Sequence, residues 1–182
     1  MSKKLVLLRH GQSSWNKQNR FTGWIDVDLT DEGKNEAINA GKELKKNGYE
    51  FDLGFTSFLK RSINTFNYCL KYNQSSKIEV ISDWRLNERH YGALQGLNKI
   101  ETVKKFGEDQ VFKWRRSYAT CPPKLPIQDE SHPINDLKYS NIKKSDLPSS
   151  ESLKDVKERF MPLWNEIILK EIENGKKIII EA

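Results

Sequence analysis

The sequence predicts an α/β fold in which a mostly parallel sheet carries helices on both faces, within a single domain spanning residues 1–182. Short apolar runs without polar alternation, such as Leu5–Leu8, are typical of parallel strands buried on both faces. These runs alternate with segments whose apolar residues recur at helical spacing, and the connections suit right-handed βαβ crossovers. A chain of 182 residues is long enough for one core, whereas two would be crowded.

In the first half, the strand at Leu5–Leu8 is followed by a helix that Thr30 caps and Gly48 ends, because threonine favours N-caps and glycine the left-handed position after a helix. A second strand is predicted at 51–57 and a third at 78–81. The helix between them has an apolar stripe, on or beside which Cys69 lies as a small core residue. The stripe consists of Leu59, Ile63, Phe66 and Leu70.

In the second half, Asn98 and Glu101 predict a capping-box variant at the start of a helix that Gly107 interrupts, and a further short helix reaches the Arg115-Arg116 pair. Residues 118–150 lack periodicity, and their prolines exclude a regular element, so we expect a mobile active-site cover there. A long amphipathic helix follows, capped by Ser150 or Ser152, kinked by Pro162 and closed by Gly175. A fourth buried strand begins after it.

Composition narrows the classes of function. The chain has 31 Lys plus Arg against 25 Asp plus Glu, a net charge of +6 that suits anionic partners. The basic residues are scattered among acidic ones, so a small phosphorylated substrate explains them as well as nucleic acid does. The partner we expect is such a substrate and not nucleic acid. A mean hydropathy of −0.75 and the lack of a long apolar run predict no membrane association. Residues 1–4 lead into only a short apolar run, so no signal peptide is predicted. Two cysteines are too few for a disulfide framework, and we expect a cytoplasmic protein.

Reactive side chains follow the first strand directly. Arg9 and His10 stand at its carboxyl end, where ligand sites gather in open α/β sheets, and Gly11 permits close approach of the backbone. A neutral imidazole can attack phosphorus, and an arginine fork neutralises phosphoryl oxygens. Taken alone, an Arg-His pair at a strand end is an ordinary structural feature, so the longer motif decides the interpretation.

That motif reads L-L-R-H-G-Q-S-S-W-N, continuing to F-T-G, and it is joined by N-E-R-H-Y-G-A-L-Q-G-L-N-K around Glu88, K-W-R-R-S-Y around Arg115 and E-S-L-K-D from Glu151. Together these segments resemble the cofactor-dependent phosphoglycerate mutases of the histidine phosphatase superfamily, and the resemblance covers almost the whole chain. It implies a mutase-like three-layer fold and an enzyme of glycolysis. The implied reaction interconverts 3-phosphoglycerate and 2-phosphoglycerate through a phosphohistidine that 2,3-bisphosphoglycerate primes.

The resemblance also assigns roles. His10 is implied as the nucleophile and Glu88 as the proton shuttle. Cationic and neutral donors are implied to bind phosphate and carboxylate groups of the substrate, namely Arg9, Ser13, Asn16, Thr22, Gly23, Arg61, Arg89, Tyr91, Lys99, Arg115 and Arg116. No metal is predicted: His90 has no second ligand at helical or strand spacing, and His132 is interpreted as an exposed loop residue. Taken alone, Glu88 or the Arg115-Arg116 pair could equally be solvated surface residues.

Three alternatives stay open. A bisphosphoglycerate mutase or bisphosphoglycerate phosphatase of the same superfamily would differ in pocket details that the sequence does not reveal, and a non-catalytic phosphoglycerate-binding protein would bind without forming a phosphoenzyme. The resemblance implies a second histidine motif after the last strand, and the sequence ends at Ala182 before it, with Glu181 where a small residue is expected. We therefore expect a chain truncated at its C-terminal side, with impaired turnover.

The implied family sheet places the last strand centrally, between the first two. A truncated sheet would leave an edge and apolar helix faces exposed, so we expect low stability or self-association of this chain. The full-length form is expected to be a homo-oligomer.

Overall fold

The structure is a computed structural model that describes residues 4–182. Residues 1–3, on which the signal-peptide prediction partly rests, lie outside the described residues. The strands are β1 (Leu5–Leu8), β2 (Leu53–Thr56), β3 (Glu79–Ser82) and β4 (Ile178–Glu181). The helices are α1 (Ser14–Lys17), α2 (Asp31–Lys46), α3 (Lys60–Asn73), α4 (Lys99–Phe106), α5 (Glu108–Arg116), α6 (Leu153–Leu163) and α7 (Leu169–Glu173), with a π-helical turn at Trp164–Ile168.

The four strands form one sheet in the order β1-β4-β2-β3, and all pairs are parallel. This confirms the α/β prediction and the central position of the last strand. The register sets Leu8, Glu181 and Thr56 side by side at the carboxyl ends of three neighbouring strands. Residues that follow these strands therefore share one edge of the sheet.

The described chain divides into two compact units. The first comprises the described part of Met1–Ser14 with Asp26–Asn87 and Phe160–Ala182. The second comprises Trp15–Ile25 and Glu88–Arg159.

In the first unit, apolar clusters cover both faces of the sheet. Ile178 and Ile180 pack in one cluster with Leu163 and Ile168, whereas Ile179 packs in another with Phe66 of α3. Because neighbouring residues of a strand face opposite sides, helices cover both faces, as the three-layer prediction requires. Cys69 is fully buried in the second cluster, as expected.

The burial of the strands corrects one expectation. Every residue of β2 and β4 is buried, but β1 is only partly buried, and Leu7 is 74% exposed. The prediction of a first strand buried on both faces was wrong, because within the described chain β1 pairs with β4 alone and lies at the edge of the sheet.

Local sequence signals place the helix ends. The Thr30 hydroxyl accepts a hydrogen bond from Gly33 N at the start of α2, and Asn98 Oδ1 accepts from Ile100 N at the start of α4. Ser152 caps α6 by accepting from Asp155 N. Pro162 lies inside α6, and the π-helical turn follows it.

Residues 118–150, in the second unit, are more structured than predicted. They contain short 3₁₀ helices at Pro133–Asn135, Leu137–Tyr139 and Lys144–Asp146, so the prolines do not exclude regular turns. His132 is 2% exposed, and its Nε2 lies 3.0 Å from Ser149 Oγ, so the prediction of an exposed loop residue was wrong. The loop buries the His132 ring 6.5 Å from the ring of His90, a contact that the composition of the loop did not indicate. No helix within residues 4–182 is long and apolar enough to cross a membrane.

Candidate active site

His10 lies in the loop that leaves β1 in the first unit. Its Nδ1 is 2.8 Å from the carbonyl oxygen of Gly11. A carbonyl only accepts hydrogen bonds, so Nδ1 carries a proton, and in the neutral ring the lone pair is then on Nε2. The loop thus selects the tautomer that, when the ring is neutral, presents Nε2 as the nucleophilic nitrogen.

Two close approaches fix this loop. Gly11 N donates to the Thr65 hydroxyl at 3.0 Å, and that hydroxyl donates to the carbonyl oxygen of Arg61 at 2.7 Å. A Cβ on Gly11 would lie 2.3 Å from Gly33 O in the first turn of α2, so only glycine fits. The result is that Thr65 links the His10 loop to the first turn of α3, which carries Arg61.

The other predicted phosphate ligands of the first unit surround this connection. Arg61 is fully buried, and Ser13 is buried where its backbone bridges to Leu29. Arg9, at the end of β1, is exposed. A buried guanidinium beside a histidine loop creates a positive region suited to an oxyanion.

In the second unit, the segment that carries Thr22 and Gly23 is held against the segment after Glu88. Phe21 N donates to Leu97 O at 3.0 Å, and Trp24 Nε1 donates to Glu88 O at 2.6 Å. Gly23 has a φ of 57°, and a Cβ there would lie 2.3 Å from Gln95 Oε1. The positive φ and this close neighbour therefore favour glycine at this position.

A cationic cluster forms around Tyr91 in the same unit. Arg89 Nη2 donates to Arg115 O at 2.7 Å and to the Tyr91 hydroxyl at 3.4 Å, and its guanidinium stands 4.8 Å from the Tyr91 ring centre. The Tyr91 and Phe21 ring centres are 5.3 Å apart, and Lys99 Nζ is 5.9 Å from the Phe21 ring. Arg89, Tyr91 and the backbone of Arg115 are thus brought together, and Phe21 lies between Tyr91 and Lys99.

Arg89 retains donors for a ligand. Its Nε and Nη1 are buried and make no hydrogen bond within residues 4–182. Buried guanidinium donors without acceptors are costly, which an anionic ligand would relieve. Arg116 is exposed, and Asn16 lies in α1, where its carbonyl accepts from Asn19 N.

The predicted residues thus divide between the two units. The first contains Arg9, His10, Ser13 and Arg61, and the second contains Asn16, Thr22, Gly23, Glu88, Arg89, Tyr91, Lys99, Arg115 and Arg116.

One group that sequence reasoning missed is a buried ion pair beneath the E-R-H-Y-G segment. Glu151 accepts from Arg159 Nε at 2.6 Å and from Arg159 Nη2 at 3.0 Å, and its Oε2 also accepts from His90 N at 2.9 Å. Both side chains are about 5% exposed or less. The E-S-L-K-D segment was a signal for Glu151, but nothing in the sequence paired it with Arg159.

His90 is a packing residue. Burial, with smaller contributions from His132 and Arg159, lowers the pKa of His90 to about 3, so its ring is neutral. Its Nδ1 accepts from Gly92 N at 3.0 Å, which occupies the lone pair that a metal would need. Within residues 4–182, no group of three His, Cys, Asp or Glu side chains could hold a metal ion.

The chain is similar to known proteins over most of its length. Residues 5–133 match the histidine phosphatase superfamily (branch 1). A mycobacterial glucosyl-3-phosphoglycerate phosphatase, solved in complex with VO3, is 25% identical with a TM-score of 0.70, covering 100% of this chain and 76% of that one. A phosphoglycerate mutase from Bacillus anthracis is 23% identical with a TM-score of 0.68, covering 98% of this chain and 73% of that one. A mycobacterial hydrolase is 25% identical with a TM-score of 0.70, and the match covers 99% of this chain and 66% of the hydrolase.

Proposed function

This chain belongs to branch 1 of the histidine phosphatase superfamily, and we propose that within it the protein interconverts 3-phosphoglycerate and 2-phosphoglycerate through a phosphohistidine at His10. The observation that carries the proposal is the hydrogen bond from His10 Nδ1 to Gly11 O, at 2.8 Å. It holds the ring in the tautomer whose Nε2 can attack phosphorus.

The cations of the second unit support a substrate with more than one anionic group. A simple monoester needs one oxyanion site, which Arg9 and Arg61 can supply. Arg89 adds buried donors that make no hydrogen bond within residues 4–182, and Lys99 adds a further positive charge 5.9 Å from the Phe21 ring in the same unit. A phosphoglycerate, with a carboxylate and one or two phosphates, matches this set of donors.

The proposed cofactor, 2,3-bisphosphoglycerate, fits the same donors. It supplies the phosphoryl group that primes His10. Arg9 and Arg61 would bind the phosphate nearest His10, while Arg89, Tyr91 and Lys99 would bind the remaining anionic groups, with Arg115 and Arg116.

The residues of this chain would perform the transfer as follows. His10 Nε2 bonds to phosphorus as the bond from phosphorus to the substrate oxygen breaks, and the Glu88 carboxyl gives its proton to that oxygen. In the return step, the Glu88 carboxylate takes a proton from the accepting hydroxyl, whose oxygen bonds to phosphorus as the bond to Nε2 breaks. Arginine side chains neutralise the phosphoryl oxygens in both steps.

A phosphatase is the second candidate, because the mycobacterial phosphatase is 25% identical over the whole of this chain. In that reaction water, in place of a substrate hydroxyl, would accept the phosphoryl group from His10. The two activities share the first half-reaction and differ only in the acceptor.

The decisive experiment is the intact mass of the chain after incubation with 2,3-bisphosphoglycerate, with His10→Ala as the control. We expect one acid-labile phosphoryl group on the natural chain and none on the variant. Isomerisation of 3-phosphoglycerate without phosphate release would then support the mutase, and phosphate release would support the phosphatase. Phosphoglycerate binding without an adduct would contradict both and favour a non-catalytic binding protein.

A further inference from the structure

A buried carboxyl group lies where the first unit gathers its cations. Glu181 is the last residue of β4, and the register places it between Leu8 of β1 and Thr56 of β2. It is fully buried. The central strand of the sheet thus delivers an acid to the same edge as the His10 loop and Arg61.

Hydrogen bonds connect Glu181 to the start of α3. Its Oε2 is hydrogen-bonded to the Ser62 hydroxyl, and the Thr56 hydroxyl lies 3.4 Å from the same oxygen. Thr56 and Ser62 hydroxyls are 2.9 Å apart, and Ser57 N donates to Ser62 Oγ at 3.3 Å. Glu181 is therefore part of the network that holds the turn preceding and including Arg61.

The two oxygens of the Glu181 carboxyl group differ in their surroundings. Glu181 Oε1 is buried and makes no hydrogen bond in the part of the chain that the structure describes. Burial raises the pKa of Glu181 to about 8, against the opposing effects of Ser62, Thr56 and the Arg61 charge. The acid is thus mostly protonated at neutral pH and ionises in mild alkali.

Charged and polar groups of α3, β2 and the segment after β1 surround Glu181. From α3, the positive charge of Arg61 acts to lower the pKa of Glu181. Burial, and to a lesser extent Glu181, raises the pKa of the Cys69 thiol of the same helix to about 12, so this thiol stays protonated through mild alkali. From β2, the Thr56 hydroxyl lies 3.4 Å from Glu181 Oε2. β1 pairs through Leu8, after which Arg9 and His10 follow in the chain.

We propose that Glu181 is a positioning residue: its protonated form anchors Ser62 beside Arg61 at the start of α3, and its ionisation adds a negative charge there that weakens anion binding. This rests on the proposed function, in which Arg61 binds the transferred phosphoryl group. Neutral Glu181 anchors Ser62 and adds no charge at this end of α3. An ionised Glu181 adds a negative charge beside Arg61 and opposes a second anion there.

Linkage fixes the sign of the effect. If ionised Glu181 disfavours the anion, then a bound anion must raise the pKa of Glu181 by an equal free energy. Anion affinity is therefore highest below the pKa of the free form and falls as the pH rises through it. Each unit of pKa difference between free and bound forms corresponds to about a tenfold loss of affinity.

The test uses sulfate, a tetrahedral dianion whose charge is constant in this range, and measures its dissociation constant by calorimetry from neutral pH to mild alkali. For the natural chain we expect affinity to fall by about tenfold. Glu181→Gln keeps a side chain that can bond Ser62 but cannot ionise, so its affinity should stay near the neutral-pH value of the natural chain. Glu173→Gln, an exposed Glu-to-Gln change at the end of α7, should follow the natural chain.

If the sulfate affinity of Glu181→Gln falls with rising pH as that of the natural chain does, the proposal is overturned. A second readout is independent of the proposed function: the infrared C=O band of a protonated carboxyl should be present at neutral pH, disappear in mild alkali, and be absent from Glu181→Gln. If that band is absent from the natural chain, Glu181 is ionised and the inference fails. If the band is present but sulfate does not bind at any pH, the Arg61 anion site fails, and the proposed phosphoryl transfer fails with it.

Discussion

Breaking the buried ion pair of the second unit should cost more stability than removing it entirely. Arg159→Met leaves the Glu151 carboxylate buried without its cation, and Glu151→Gln leaves the Arg159 guanidinium without its anion. Losing one partner of a buried pair typically costs about 3–5 kcal/mol. We expect each single variant to lose free energy of unfolding in this range.

The double variant Glu151→Gln with Arg159→Met should lose less than either single variant. It removes both charges, and the glutamine oxygen can still accept the hydrogen bond from His90 N that Glu151 accepts at 2.9 Å. Only imperfect packing and the lost side-chain hydrogen bonds remain as costs. A matched control is Glu158→Gln, which removes an exposed pair with Lys154 at 3.7 Å and should cost no more than about 0.5 kcal/mol.

Urea unfolding followed by tryptophan fluorescence provides the assay. The Arg159 guanidinium stands 5.4 Å from the ring of Trp24, so the emission of this tryptophan should report on the region directly. If the double variant is less stable than both single variants, charge burial does not dominate at this site. If a single variant loses as little free energy of unfolding as Glu158→Gln, the Glu151–Arg159 pair is not buried from water as it is in the structure.

Three further predictions follow from buried groups and backbone geometry. Because burial lowers the pKa of His90 to about 3, the unfolded chain binds a proton first as the pH falls below 7, and the free energy of unfolding should decrease by up to about 1.4 kcal/mol per pH unit for this histidine. Burial also lowers the pKa of His132, which acts in the same direction. His90→Gln should make the slope shallower, and an unchanged slope in urea titrations from pH 7 to 5 would contradict this. Gly23→Ala should destabilise the chain by more than Gly48→Ala, since both have positive φ but only Gly23 has a neighbour, Gln95 Oε1, within 2.3 Å of the added Cβ; equal melting temperatures would refute this. Bound phosphoglycerate should slow proteolysis within residues 118–150, and cleavage at the same rate with and without it would remove the proposed role of this loop as a cover.

The sequence was most informative where a local rule determines the structure. Thr30 and Asn98 cap helices as their side-chain chemistry predicts, and the unbroken apolar run Ile178–Ile180 lies in a strand buried on both faces. The same rule failed at Leu5–Leu8, because the burial of a strand depends on its position in the sheet. A strand at the edge and a strand at the centre can have the same composition.

His132 shows a different limit. It stands in a proline-rich segment with polar neighbours, and every local signal indicated an exposed residue. The structure buries its ring 6.5 Å from that of His90, a residue 42 positions earlier. Contacts between distant segments decided the burial, and one sequence carries no record of them.

In the candidate site, some residues could likewise be identified from the sequence, whereas others could be identified only from their contacts. Arg9 and His10 could be selected because their side chains have the chemistry of the proposed reaction, and Glu88 because a family resemblance assigns it a role. Thr65 could not, since a threonine on a helix is ordinary until its hydroxyl is seen to accept from Gly11 N and donate to Arg61 O.

Glu181 extends this argument, because the sequence marked it only as a departure from the expected small residue. Its significance comes from the parallel register, which aligns it with Thr56 across the strand pair. The hydrogen bonds to Ser62 then tie it to the turn that carries Arg61. A motif thus identifies the groups that would touch a substrate, whereas the register and burial of the surrounding residues determine the protonation states in which those groups work.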